Sequence, residues 1–148
     1  MPGQEQPRFF IDRNMGFRIV PGGLRKRGWL LTTMDERYGK ERSQQIDDVD
    51  WIADASALGE CLLTGDAGIA HRPAEAAVIW MTEAKAFVPG RNSATGPAQL
   101  ERLVAEEGAI MRWALRASGP FVLNVEAGRL RRLRINYPRA GGDERSGG

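Results

Sequence analysis

The sequence predicts an α/β fold in which a mostly parallel sheet is covered by helices on both faces. Short apolar runs at 9–11, 29–33 and 61–64 are bounded by glycine or charged residues, which is typical of buried strands. A helix-starting proline or helical spacing follows each of them. Because strands that alternate with helices pair in parallel, these observations predict a three-layer α/β/α architecture.

The first half of the chain is predicted to alternate strictly between strand and helix. After the strand at 9–11, Pro21 suits the first turn of a short helix that ends by Gly28. Between the second and third strands, a helix is expected over about 47–58, and Gly59 ends it.

The second half continues the alternation and then changes direction. A helix is predicted over 73–81, a strand over 85–88 and one longer helix over 97–115, where apolar residues fall at helical spacing. The strings FVLNV and LRRLRI follow, separated by a turn at 127–128. They predict a C-terminal β-hairpin or edge pair.

The length of 148 residues suits one domain, predicted here over 8–135. Polar or glycine-rich composition predicts flexible ends at 1–7 and 136–148. No window approaches the ~18 unbroken apolar residues of a membrane span, and the start MPGQEQPRFF lacks the basic-then-apolar order of a signal peptide. We therefore expect a cytoplasmic protein without a membrane partner.

Cysteine and histidine each occur once, which limits the possible chemistry. The single Cys61 excludes intrachain disulfides and a cysteine-built zinc site. The single His71 excludes multi-histidine metal centres and argues against a serine triad. Catalysis, if present, is therefore expected to depend on carboxylates.

Charge is spread unevenly, although the net charge is only +2. Residues 35–66 hold nine acids and three bases, whereas 108–140 hold seven arginines and a single acid, Glu126. This asymmetry suits a cation site in one half and a phosphate-facing surface in the other. Two solvated faces that meet in the fold explain it equally well, so the charge pattern leaves both interpretations open.

Two aspartates follow strands that are expected to end at the same edge of the sheet. Asp12 comes directly after the apolar run FFI, and Asp66 follows CLLTG. Ligands of open α/β sheets gather beyond the carboxyl ends of the strands, which favours a site there. Aspartate after a strand is also common in turns, so either residue alone has a structural explanation.

A third aspartate lies on the predicted second helix. On a helical wheel, Asp48 falls inside the arc of apolar residues, Asp47 lies near its edge, and Asp50 and Asp54 point away. A carboxylate on a buried face is costly unless it is paired or bound to a metal. The alternative is that Asp48 is stabilised by the N–H groups of the first helical turn.

Convergence of Asp12, Asp48 and Asp66 would require a cation. Mutual repulsion raises the pKa of at least one carboxyl until a divalent ion restores ionisation. Oxygen-only ligands favour Mg²⁺ or Mn²⁺, which keep waters and bridge to phosphate oxygens. Such a site is suited to hydrolysis of a phosphodiester by a metal-activated water.

Three short strings carry a family resemblance over roughly 8–135. FFIDRN at 9–14, DDVDW at 47–51 and LLTGD at 62–66 together resemble the PIN-like superfamily, in particular bacterial VapC-type toxins of the divergent VapC45-like branch. The resemblance implies an endoribonuclease that depends on Mg²⁺ or Mn²⁺ and is held inactive by a cognate antitoxin. It also implies that the acids of the three strings are the catalytic metal ligands, and it leaves a homodimer open. Those acids are Asp12, Asp48 and Asp66.

The chain departs from the family pattern at the expected fourth acid. Many PIN domains carry it soon after the third acid, where this chain has Ala67, Gly68 and Ile69. Glu75 on the next helix is the nearest candidate. The departure leaves open whether the site holds one metal ion or two.

Other residues are candidates for supporting roles, and each has a structural alternative. Asn14 could orient substrate or simply cap a turn, and Thr64 could support Asp66 or simply pack as a β-branched strand residue. Arg72, beyond the third strand, could contact a phosphate. Four arginines near the C-terminus could contact RNA or an acidic antitoxin segment, or they could protect an edge strand from aggregation. They are Arg129, Arg131, Arg132 and Arg134.

The leading hypothesis is therefore a metal-dependent toxin ribonuclease. One alternative is a PIN-like module that binds RNA or protein without cutting. Another is a receiver-like phosphoacceptor, which is disfavoured because Arg13 and Asn14, rather than a second acid, follow Asp12, and because Lys85 begins its strand instead of ending it.

Overall fold

The computed structural model describes residues 5–90 and 95–138. The flexible ends predicted from the sequence lie partly outside these ranges, and the domain limits 8–135 stay a prediction. Within the described part, no helix is both long and apolar enough to span a bilayer.

Six strands form one sheet whose first five members are parallel. They are β1 (Arg8–Ile11), β2 (Leu30–Thr33), β3 (Cys61–Leu63), β4 (Lys85–Pro89), β5 (Phe121–Glu126) and β6 (Arg129–Leu133). The spatial order is β2-β1-β3-β4-β5-β6, and only the β5–β6 pair is antiparallel. The predicted α/β fold with a C-terminal edge pair is confirmed.

The helices of the described ranges connect these strands. They are α1 (Ile19–Lys26), α2 (Met34–Tyr38), α3 (Lys40–Ser43), α4 (Asp48–Ala57), α5 (Pro73–Thr82), α6 (Gly96–Ala105) and α7 (Glu107–Arg116). Two 3₁₀ turns, Arg13–Met15 and Ala67–Ala70, follow β1 and β3 respectively. Both turns lie at the edge of the sheet where the predicted carboxylates stand.

Each face of the sheet buries its own apolar cluster, because successive strand residues point to opposite sides. One face packs against α1, α6 and α7; its buried side chains include Phe9, Leu24, Leu63, Phe87, Leu103 and Ile110. The other packs against α4 and α5; its buried side chains include Phe10, Trp51, Leu62, Ile79 and Val122. Each of these large side chains contributes about 1.5–3 kcal/mol through burial, so both layers are strongly fixed to the sheet.

The single long helix predicted over 97–115 is wrong. The chain leaves helical geometry at Glu106 (φ −109°, ψ 21°), which separates α6 from α7. The Glu106 carboxylate accepts a hydrogen bond from the Gly128 backbone N–H at 2.9 Å, which ties this break to the β5–β6 turn. A straight helix of that length would extend roughly 28 Å, well beyond the short strands it covers, and the break keeps both halves on the sheet.

Candidate active site

The parallel strands β1 and β3 bring two acidic loops to the same edge of the sheet. The Asp12 backbone N–H continues the strand pairing by donating to the Leu63 carbonyl at 2.8 Å. Asp66 follows β3 by three residues and caps the 3₁₀ turn after it, where its Oδ1 accepts from the Gly68 N–H at 2.9 Å. Hydrogen bonds to the main chain therefore fix the Asp12 backbone and the Asp66 carboxylate at this edge.

Asp12 is a buried carboxylate, with 5% of its surface exposed. Its Oδ2 accepts a hydrogen bond from the Thr64 hydroxyl at 2.8 Å. Burial raises the pKa of Asp12 above its ordinary value of 3.8; the Thr64 bond opposes that rise and the nearby charge of Asp48 adds to it. A positive charge at this position would lower the pKa again and stabilise the ionised form.

Thr64 and Asn14 link the two acidic loops. The buried Thr64 hydroxyl donates to Asp12, and its oxygen accepts from the Asp66 N–H at 3.0 Å and from Asn14 Nδ2 at 3.4 Å. Asn14 Oδ1 accepts from the Gly65 N–H at 3.0 Å. The structure thus brings both predicted supporting residues to the site, where they hold Asp12 and Asp66 in a fixed relation.

Replacing the Thr64 hydroxyl by a methyl group should weaken the site without creating a cavity. On the expectation from the sequence that Asp12 is a metal ligand of a ribonuclease, Thr64→Val should lower RNA cleavage by about 10–100-fold, the usual cost of losing a group that orients such a ligand. Thr64→Ser keeps the hydroxyl and is the matched control. Cleavage rates at saturating Mn²⁺ test this, and equal activity of the two variants would contradict it.

Asp48 reaches the same edge from the first turn of α4. Its Oδ1 accepts a hydrogen bond from Trp51 Nε1 at 2.9 Å, and Trp51 is fully buried against Phe10. The bond orients the carboxylate and leaves Oδ2 directed away from the tryptophan. The other acids of α4 differ: Asp50 is exposed, and Asp54 accepts from the Tyr38 hydroxyl at 2.6 Å.

Arg72 is the cation that the remaining carboxylates share. Its Nη2 lies 2.7 Å from Asp66 Oδ2 and 3.5 Å from Asp48 Oδ2, and its Nε lies 3.2 Å from Glu75 Oε2. Burial acts to raise the pKa of Asp66, but the hydrogen bonds from Arg72 and Gly68 outweigh it and hold that pKa below its ordinary value. One guanidinium therefore pairs with acids from three different segments, namely α4, the turn after β3 and α5.

The three predicted ligands stand around this edge without forming a tight cluster. Among the described residues, no three Asp, Glu, His or Cys side chains are close enough to hold a metal ion as they stand. Asp48 and Asp66 both contact Arg72, and Asp12 is joined to Asp66 through Thr64. The donor chemistry fits Mg²⁺ or Mn²⁺, because every candidate ligand atom is an oxygen. In addition, no cationic side chain of the described residues lies within ion-pair distance of the buried Asp12 carboxylate.

A polar groove of about 500 Å³ opens beside Asp48 and Glu75. Arg13 lines it and is fixed by a hydrogen bond from Nη1 to the Ser43 carbonyl at 2.7 Å. Sequence reasoning did not select Arg13 for this position. Its place directly after Asp12 is the signal that could have done so, since the 3₁₀ turn begins there.

The predicted C-terminal arginines lie on the edge strand and beyond it. Glu126 pairs with Arg129 at 3.2 Å and with Arg131 at 2.7 Å, and hydrogen bonds from Asn124 and Arg131 lower the pKa of Glu126 to about 2. Arg132 lies over the Trp113 ring, 5.4 Å from its centre. Arg134, with His71, Arg131 and others, lines a cavity of about 310 Å³ next to the turn after Asp66.

Comparisons with known proteins agree with this architecture. The family model described as "PIN like domain" matches residues 7–90. A Mycobacterium tuberculosis protein named "Putative ribonuclease VapC45" is 34% identical over 124 residues, which cover 84% of this chain and 89% of that relative. No solved structure matches significantly. The chain therefore belongs to the PIN-like domain family.

Proposed function

We propose that the protein is an endoribonuclease dependent on Mg²⁺ or Mn²⁺, and that it is the toxin of a toxin–antitoxin pair. Family membership and the ribonuclease name of its relative support a nuclease. The observation that carries the proposal is the buried Asp12 carboxylate, held beside Asp66 by Thr64 at the carboxyl edge of the sheet. Isolated acids are rarely buried unless a cation or a catalytic role offsets the cost.

In this proposal the three aspartates are the metal ligands. A divalent ion bound there would supply the positive charge that activates water and stabilises the departing oxygen of the phosphodiester. Asp12, Asp48 and Asp66 hold it, while Thr64 and Asn14 keep the first and third of these acids aligned. The site needs no nucleophilic side chain, because water attacks the phosphorus.

The groove beside Asp48 is the proposed path of the RNA strand. Arg13 in its lining offers a guanidinium to a phosphate, and Glu75, which also lines it, is the candidate fourth acid. The edge arginines are proposed contacts for a longer RNA or for an acidic antitoxin segment. They are Arg129, Arg131, Arg132 and Arg134. We place this activity in the cytoplasm, where both partners would be available.

The proposal is tested with metal-free protein and a mixed RNA pool. We expect fragments when Mn²⁺ is added and no fragments when EDTA follows, because the carboxylates act through a divalent ion. The protein's circular dichroism is measured under both conditions. If the protein stays folded and retains RNA but produces no metal-dependent fragments, the result would instead support the non-catalytic binding module.

A further inference from the structure

We propose that Arg72 is an internal counter-ion that competes with the divalent cation for Asp48 and Asp66, and so sets the metal affinity of the site. The inference rests on the proposed function, since it concerns the same metal site. It adds that loading the site is an exchange, in which the guanidinium must leave these two carboxylates before the metal ion binds them.

The Arg72 guanidinium and a bound divalent ion would occupy the same position between Asp48 and Asp66. Arg72 Nη2 lies 2.7 Å from Asp66 Oδ2 and 3.5 Å from Asp48 Oδ2, so one nitrogen is in ion-pair distance of both proposed ligands. A divalent ion would have to bind within about 2.1 Å of the same oxygens. Two cations cannot occupy this space together, because their charges repel and their contacts overlap.

The backbone between Asp66 and Arg72 leaves space for the Arg72 guanidinium beside Asp66. Arg72 is the N-terminal cap residue of α5, and the 3₁₀ turn Ala67–Ala70 brings it back towards Asp66. Gly68 lies beneath it: a Cβ there would stand 2.5 Å from Arg72 Nη1 and 2.9 Å from Asp66 Oδ1. The missing side chain at Gly68 therefore leaves room for the ion pair.

The Arg72 guanidinium can leave the Asp48 and Asp66 carboxylates at a low cost in free energy. Its side chain is 43% exposed, and it forms ion pairs with Asp48, Asp66 and Glu75. Glu75 Oε2 contacts Nε at 3.2 Å, so the stem can stay near α5 while the two Nη groups turn away. Partly exposed ion pairs are individually weak, which suits a partner that a divalent ion displaces.

The test is the affinity of metal-free protein for Mn²⁺ alone, measured by isothermal titration calorimetry without RNA. We expect Arg72→Met to bind Mn²⁺ about 3–10-fold more tightly than wild type, as loss of weak competing ion pairs implies. Arg25→Met is the matched control, because Arg25 pairs with Glu36 at 2.7 Å at nearly equal exposure, away from the site. Its Mn²⁺ affinity should equal that of wild type.

A second variant protects the test against misfolding. Arg72→Lys keeps the charge but replaces the planar fork with a single ammonium, so its Mn²⁺ affinity should fall between those of wild type and Arg72→Met. The inference would be overturned if wild type binds Mn²⁺ and a correctly folded Arg72→Met or Arg72→Lys variant binds it no more tightly than wild type does. Absence of Mn²⁺ binding in wild type and all variants would instead overturn the proposed function.

Discussion

Asp48→Asn should abolish RNA cleavage. The substitution keeps the size of the side chain and an oxygen that can accept from Trp51 Nε1, so the start of α4 should remain intact. It removes the negative charge that a divalent ion needs. Since loss of a supporting group alone costs about 10–100-fold, loss of a ligand should lower the cleavage rate by more than about 100-fold.

Asp50→Asn is the matched control for this prediction. Asp50 lies on the same helix turn and is exposed, so the same chemical change there alters the local charge without touching the site. Most of the cleavage activity should remain. Cleavage rates of both variants against one labelled RNA give the comparison, and equal losses would show that Asp48 has no special role.

Asp12→Asn should abolish cleavage and, unlike most losses of function, change the pH dependence of stability in a defined direction. Burial raises the pKa of Asp12 in the fold, so the folded state holds this proton more tightly than the unfolded state does. The pKa of an ordinary aspartate is 3.8. As the pH rises from this value through the raised pKa of Asp12, the free energy of unfolding of the wild type decreases, because the buried carboxyl ionises less readily than the unfolded one. The variant does not ionise there and escapes that decrease.

The measurement is the melting temperature of both proteins in EDTA across the acidic range. The difference, variant minus wild type, should increase as pH rises from about 4 and then level off. Added Mn²⁺ should raise the melting temperature of wild type only, because binding to the folded state stabilises it. A difference that is independent of pH would mean that Asp12 ionises as freely in the fold as in the unfolded chain.

The fold was predictable because its strands are short apolar runs with clear boundaries. FFI and CLLT stand between charged residues or glycine, and their order leaves few topologies other than a parallel sheet. The break at Glu106 was not predictable from periodicity, since the apolar spacing continues through it and its contact with the distant Gly128 N–H has no local signature in the sequence. The short helix α2 was missed although Thr33 and Glu36 form a capping box, because five residues show no helical period.

The positions of the candidate acids were predictable as far as strand ends and helix faces determine them. Asp12 and Asp66 follow neighbouring parallel strands, and the structure puts both at one edge. The contacts of Arg72 with Asp48 and Asp66 could not be read from the sequence. They depend on the path of the 3₁₀ turn after Asp66 and on the space above Gly68, neither of which has a periodic signature.

In the proposed function, Asp12, Asp48 and Asp66 hold one divalent ion in common. A crystal structure of the protein with saturating Mn²⁺, with anomalous scattering recorded at the manganese edge, tests it most directly. We expect a manganese peak within about 2.1 Å of an oxygen of each carboxylate, with the Arg72 guanidinium turned away. A manganese peak elsewhere, or Arg72 still seated between Asp48 and Asp66 with no manganese bound, would contradict it.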